Sequence, residues 1–257
     1  MSDGVTQWLS AEPVPELATG DVHIWRARLI QPEPVRQSCR DVLTEDELAR
    51  AARFYFEKDR NQFIVSHGML RRTLAPYLGI APRDIQFRIE KNGKPELAEN
   101  GRHCSLKFNL SHSGELALLA ITRDQIVGVD VELHRPDFAG EAIADRFFSA
   151  EEAGKLRTLP EEQKVEAFFN CWTRKEAYVK ARGEGLTIPL DSFDLTFAPG
   201  EPPALLRVAG HPEELLRWSL YNLTPGEGYA GALLVEGREH ELHCREWVGA
   251  WGGADDY

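Results

Sequence analysis

The sequence predicts an α+β protein, and three observations carry that expectation. Strand-like runs adjoin one another through short turns, as at Lys91-Asn92-Gly93-Lys94-Pro95 and Arg123-Asp124, and Asn-Gly between such runs marks tight antiparallel pairing. Helical stretches fall in groups rather than alternating with single strands, which disfavours a doubly wound sheet. The composition, 42% hydrophobic and 28% charged over 257 residues, is that of a globular chain able to bury a substantial core.

Residues 1–20, with Pro13, Pro15 and Gly20, lead into a first strand from Val22 to Leu29. Thr44-Glu45-Asp46-Glu47 has the form of a capping box and starts a helix near Thr44. Phe63, His67, Leu70 and Leu74 recur at helical spacing within a helix from Lys58 to Leu78, which Gly79 stops. Phe87 to Glu90 is a short strand, Phe108 to His112 and Leu116 to Thr122 are strands around Ser113-Gly114, and Gln125 to Leu133 is the next. The second half repeats the style with helices at Ala142–Phe147, Ser149–Leu156 and Glu161–Ala181, the last closed by Gly183 and Gly185. Strands at Ser192–Phe197, Leu205–Val208, Trp218–Asn222, Tyr229–Val235 and Leu242–Trp247 complete the chain, and Trp251–Tyr257 is expected to fray. No sequence repeat is evident.

A net charge of −11 argues against general affinity for nucleic acid. The charge is uneven, however. Arg50 to Lys94 holds ten basic residues against four acidic ones, a local +6 that leaves −17 for the remainder. Such a region suits a specific anionic partner. Cys39, Cys104, Cys171 and Cys244 are too scattered for a disulfide framework or a zinc motif. Met1 to Ser10 lacks the character of a signal peptide, and no apolar run reaches the ~20 residues that span a bilayer. The chain therefore reads as cytoplasmic and reduced, with no membrane partner.

Two stretches carry chemistry. In Gln125–Leu133 the side chains alternate, so Val127, Val129, Val131 and Leu133 share one face, while Gly128, Asp130 and Glu132 share the other. By itself this pattern describes a half-wet strand. In the helix from Glu161, a stripe of Val165, Phe168, Phe169 and Trp172 continues at the same spacing to Glu176 and Lys180. A surface Glu–Lys pair belongs opposite such a stripe, so charges in line with it point to a cavity rim. Asp130, Glu132 and Glu176 offer the hard oxygens that Mg²⁺ prefers, and Lys180 would neutralise phosphate.

These residues resemble a known family. Phe108-Asn109-Leu110-Ser111-His112-Ser113, Val127 to Glu132, Phe168 to Lys180 with Gly183 to Leu186, and Asn92-Gly93-Lys94-Pro95 are similar, in order and spacing, to motifs of the Sfp-type 4′-phosphopantetheinyl transferases. The resemblance covers residues 40 to 200 or so. It implies two similar α+β halves, 1–124 and 125–257, each a small, mostly antiparallel sheet packed with helices. The first half would contact coenzyme A and carrier protein, the second would carry the metal, and the active site would lie between them.

It further implies a monomeric enzyme that moves phosphopantetheine from coenzyme A to a serine of an acyl or peptidyl carrier protein, releasing adenosine 3′,5′-bisphosphate. Asp130, Glu132 and Glu176 would bind Mg²⁺, and Glu176, Lys180 and Glu152 would be the catalytic residues. Lys94, Lys91, Asn109, Ser111 and His112 would hold coenzyme A, His112 through the 3′-phosphate. An arginine of many relatives falls near Gln62, where this chain has none, and Arg60, His67 and Arg71 are its candidate replacements. The carrier is expected to be acidic, which makes the basic residues from Arg50 to Arg88 candidates for docking it. The proton acceptor for the serine stays open among Glu176, Glu152 and a metal-bound water. The rivals are another Mg²⁺-dependent phosphoester enzyme, such as a nuclease, and a non-catalytic binding protein of the same fold.

Overall fold

The run Leu116 to Ile121 is apolar without interruption, and the structure buries it on both sides. Ala117, Leu119 and Ile121 face one core while Leu118 and Ala120 face another, which places this strand inside a stack of layers. The computed structural model describes residues 6–10, 16–89, 93–98 and 105–249. Its elements are β1 (Leu9–Ser10), β2 (Asp21–Arg28), α1 (Glu33–Asp41), α2 (Glu45–Ala51), α3 (Glu57–Leu78), β3 (Phe87–Ile89), β4 (Pro95–Leu97), β5 (Leu106–Ser113), β6 (Leu116–Arg123) and β7 (Val127–Leu133). There follow α4 (Glu141–Phe147), α5 (Ala150–Thr158), α6 (Glu161–Arg182), β8 (Phe193–Leu195), β9 (Leu205–Val208), α7 (Glu214–Arg217), β10 (Trp218–Leu223), β11 (Tyr229–Glu236) and β12 (Glu241–Glu246).

The first sheet has the order β1-β12-β2-β6-β5 and the second β10-β11-β7. Their inner faces meet through Val22, Ile24, Leu118 and Ala120 on one side and Val127, Val129, Val131, Leu233 and Val235 on the other. α3 covers the outer face of the first sheet, with Val65, Met69 and Leu74 against Trp25, Ala27 and Leu119. α6 covers the second, with Ala177, Tyr178 and Ala181 against Ala232 and Leu234. The order of layers is helix, sheet, sheet, helix, an α+β arrangement as the sequence predicts. One crossing was not foreseen. β12 returns to the first sheet and pairs parallel with β2, Glu241 opposite Asp21 and His243 opposite His23.

Local signals account for most boundaries. Thr44 and Ser149 each form a complete capping box, with Glu47 and Glu152 respectively. α3 and α6 each end on a left-handed glycine, Gly79 (φ 63°) and Gly183 (φ 67°). The sequence reading missed α1, whose Pro34 looks like loop but sits in the first turn, where a missing N–H costs nothing. The expected strand at Phe87–Glu90 ends at Ile89, and Glu90 to Asn92, Cys104 and the carboxyl-terminal stretch lie outside the described residues.

Candidate functional site

Three elements meet at one point: β5 at the edge of the first sheet, β7 at the edge of the second, and α6. The two edges are joined by side chains. Asn109, Ser111 and Ser113 alternate along β5, and each reaches β7. Asn109 Oδ1 accepts from Val129 N (2.8 Å), Ser111 Oγ donates to Asp130 Oδ1 (2.8 Å), and Ser113 Oγ donates to Glu132 Oε2 (2.6 Å). These bonds fix the carboxylates' orientation. Ser113 was missed by sequence reasoning, although the period-two run of Asn109, Ser111 and Ser113 was its signal.

Gly128 explains how α6 comes so close. A Cβ on Gly128 would overlap the Ala177 carbonyl oxygen and lie 2.5 Å from Ala181 N and 3.0 Å from Ala181 Cα. The helix backbone rests where a side chain would be. The glycine thus docks α6 on β7, which brings Glu176 and Lys180 beside Asp130 and Glu132.

Lys180 Nζ donates to Asp130 Oδ1 (2.6 Å) and to Ser111 Oγ (2.8 Å). Asp130 is 3% exposed, and its other oxygen, Oδ2, is buried without a hydrogen-bond partner. Glu176 is half-buried, and its pKa is raised by desolvation first and then by the Asp130 charge, with Lys180 opposing. Glu132 is likewise raised, chiefly by burial and then by Asp130, against the hydrogen bond from Ser113. An orphaned carboxylate oxygen beside two carboxylates that resist ionisation suits a divalent cation with hard-oxygen preference. The three carboxylates fit Mg²⁺ in donor chemistry. They are not gathered as tightly as the Asp21, His23 and His243 group, whose ligand atoms all lie within 4.8 Å of one another.

Beside this cluster runs a groove of about 900 Å³ whose lining sets Arg50, Arg83 and His112 against Asp46 and Asp84, with the Arg71–Glu47 pair in its wall. His112 links groove and cluster. Its side chain is open to solvent, yet enough protein surrounds it that desolvation, and then the Lys180 charge, lower its pKa. His67 stacks on Phe63, and burial pushes it down to about 4.

Several expected site residues are engaged elsewhere. Arg71 is buried and spent on Glu47 (2.8 Å) and on the carbonyls of Pro82 and Ile85, so it shapes the groove wall from behind. Arg60 donates to the Phe54 carbonyl, and Gln62 donates to the Gly114 carbonyl at the β5–β6 turn. Lys94 Nζ donates to the Lys180 carbonyl (2.9 Å), fastening its segment to the carboxyl end of α6, where the helix dipole favours a cation. Asn109 and Ser111 are buried and bond β7. Lys91 lies outside the described residues.

Glu152, expected among the catalytic groups, is given other work. It caps α5, accepts from Leu195 N (3.0 Å), and pairs with the fully buried Lys175 (2.7 Å). Lys175 in turn donates to the carbonyls of Leu190 and Phe193, both at 2.7 Å. Glu152 also meets the buried Cys171 thiol, whose pKa it helps to raise after burial itself.

Comparison with known proteins gives the same direction. Residues 126–234 match the model of the 4′-phosphopantetheinyl transferase superfamily, and residues 32–124 match that of the 4′-phosphopantetheinyl transferase N-terminal region. The 4′-phosphopantetheinyl transferase HetI of Nostoc sp. PCC 7120 is 41% identical over 230 residues, covering 90% of this chain and 94% of the relative. The 4′-phosphopantetheinyl transferase Sfp of Bacillus subtilis strain 168 is 29% identical over 153 residues, 60% of this chain and 66% of that protein. A crystal structure of a holo-(acyl-carrier-protein) synthase from Bacillus anthracis in complex with CoA aligns over 44% of this chain and 96% of its own, at 19% identity. Its TM-score of 0.36 is too low to place any residue.

Proposed function

The chain belongs to the 4′-phosphopantetheinyl transferase family, and we propose that it moves phosphopantetheine from coenzyme A to a serine of an acyl or peptidyl carrier protein, with Mg²⁺ held by Asp130, Glu132 and Glu176. One observation carries this reading: Asp130, Glu132, Glu176 and Lys180 come together from β7 and α6, next to a groove of mixed charge that His112 connects to them. Bound there, Mg²⁺ supplies neutralisation of pyrophosphate charge.

The chain's own residues do the rest. Group transfer of this kind needs in-line positioning and charge stabilisation more than covalent help from the protein. The serine oxygen bonds to the phosphorus that carries the pantetheine, and the bond from that phosphorus to the bridging oxygen breaks. The electron pair leaves with adenosine 3′,5′-bisphosphate. Lys180 spends two ammonium N–H groups on Asp130 and Ser111, and its third meets a phosphoryl oxygen as charge builds there. His112, with Arg50 and Arg83 of the groove, takes the anionic end of coenzyme A. We assign the serine proton to Glu176, a half-buried carboxylate that α6 brings beside Lys180 and Asp130.

The test is mass spectrometry of several apo carrier proteins incubated with the enzyme, coenzyme A and Mg²⁺. A mass gain of one phosphopantetheine is expected on at least one of them, and none on any would overturn the reading. Asp130→Ala and Glu176→Ala should each lower transfer at least about 100-fold, or ~2.7 kcal/mol of transition-state stabilisation. Their unfolding midpoints should stay close to that of the parent. Transfer retained in either would mean that the metal ligands lie elsewhere.

A further inference from the structure

A second group of ligand-type side chains lies on the outer face of the first sheet, on β2 and β12. The parallel register sets Asp21 opposite Glu241 and His23 opposite His243. Side chains opposed in this way project from the same face, because both strands alternate in phase. The result is two imidazoles and two carboxylates at one end of a strand pair. His243 Nε2 lies 3.7 Å from Asp21 Oδ1 and 3.8 Å from Glu241 Oε1. The His23 and His243 rings pack edge to face with centroids 5.1 Å apart.

We propose that Asp21, His23 and His243, with Glu241 or water completing the set, form a binding site for a divalent transition metal of the Zn²⁺ class that clamps β12 to β2. Three features favour it. The ligand atoms of Asp21, His23 and His243 all lie within 4.8 Å of one another, and among the described residues no other such group is so gathered. A tetrahedral zinc site needs neighbouring ligand atoms roughly 3.4 Å apart, so modest side-chain rotation closes it.

Next, two ligands are already held from behind. His23 is buried, and its Nδ1 meets the Tyr77 hydroxyl at 2.7 Å, which leaves Nε2 as the metal-facing nitrogen. Tyr77 is itself held by Trp25 Nε1 (3.1 Å). Asp21 Oδ2 accepts from Ala18 N (3.0 Å), which leaves Oδ1 turned to His243. Outer groups that fix the tautomer and the rotamer of ligands are characteristic of metal sites. Finally, the Asp21 and His243 side chains are 18% and 29% exposed, so an ion can enter from solvent.

The donor set selects the metal. Imidazole nitrogen suits zinc and its neighbours, whereas Mg²⁺ takes oxygen, so this site and the carboxylate cluster on β7 and α6 sort different ions. Arg245 is the opposing charge, two residues beyond His243 on β12 and felt by His23. A clamp here would join chain segments more than 200 residues apart (Asp21 to His243), where cross-linking restrains the unfolded chain most.

The full chain, stripped by a chelator and titrated with Zn²⁺ alone, tests this. One tight equivalent should bind, raise the melting temperature and persist in excess Mg²⁺. His243→Ala and Asp21→Asn alter partly exposed positions and should fold; each should weaken Zn²⁺ binding about tenfold or more. Co²⁺ should give tetrahedral d–d absorption in the parent and not in His243→Ala. Glu176→Gln should bind Zn²⁺ as the parent does, which separates this site from the proposed Mg²⁺ cluster. The proposal is overturned if the parent binds no tight equivalent, if His243→Ala binds as well as the parent, or if Glu176→Gln abolishes binding.

Discussion

α3 and α6 are the same device used for two purposes. Each has 22 residues and ends on a left-handed glycine. Each carries a buried base at its fifteenth position, Arg71 counted from Glu57 and Lys175 counted from Glu161. Each base pairs with the capping-box glutamate of the short helix that precedes it, Arg71 with Glu47 at 2.8 Å and Lys175 with Glu152 at 2.7 Å. The helices part company one and five residues later. α6 places Glu176 and Lys180 there, while α3 has Arg72, which donates to the Ser38 carbonyl, and Pro76. What recurs in both halves is scaffold, and what occurs once is site. By that comparison the counterpart of Glu152 is Glu47.

The largest expected effect follows from those pairs. Glu152→Ala leaves Lys175, 0% exposed, without its carboxylate, and breaking a buried pair from one side costs about 3–5 kcal/mol. Glu47→Ala should cost less, because the Glu47 side chain keeps 16% exposure and water can reach what remains. Urea unfolding of both variants measures the difference, and transfer is scored per folded molecule. A Glu152→Gln variant of parental stability that had lost transfer would break the equivalence and restore Glu152 to the chemistry.

The repeated scaffold also explains what could be seen in the sequence. α3, α6 and their glycine stops were legible because a 3.6-residue apolar rhythm and a left-handed cap are local signals. Glu176 and Lys180 stood out because they interrupt an apolar stripe, whereas Asp130 and Glu132 by themselves read as a half-wet strand face. Two similar halves were expected only from the family resemblance; the matched buried bases were not legible, because they keep the same place with different residues, Arg71 in α3 and Lys175 in α6. The return of β12 to β2 was equally hidden, since strand partners far apart in sequence leave no local trace. The bond from Lys94 to the Lys180 carbonyl was not foreseen, because a turn lysine reads the same whether it meets a phosphate or a helix carbonyl.

Glycine contacts sharpen the comparison at intermediate size. A Cβ on Gly68 of α3 would lie 2.6 Å from Cys39 Cα and 2.9 Å from Cys39 O on α1. One on Gly128 would collide with α6 as described above. Overpacking of this kind costs typically about 1–3 kcal/mol, so Gly68→Ala and Gly128→Ala should lose comparable stability in denaturant. Only Gly128→Ala should also lose transfer per folded molecule, because it pushes Glu176 and Lys180 away from Asp130. Equal transfer in the two variants would mean that the α6–β7 spacing does not set the site.

The smallest effect tests the electrostatics that set α6 apart. Burial and the Asp130 charge raise the Glu176 pKa above its ordinary 4.5, so the folded state holds that proton more tightly than the unfolded chain does. Above the raised pKa the ionised carboxylate therefore destabilises the fold. As pH falls through that value the penalty is relieved, and it is gone below about 4.5, where both states are protonated. In chelator near pH 8, Glu176→Gln should melt slightly above the parent, and the gap should close as the pH approaches that of the unfolded carboxyl. Added Mg²⁺ should reverse the order, because only the intact carboxylate set gains stability from binding it. The corresponding change on α3, Arg72→Gln, should show neither the pH dependence nor the reversal. A Glu176→Gln protein that melts below the parent in chelator at high pH would show that this carboxylate is stabilised by Lys180 more than it is opposed by Asp130 and burial.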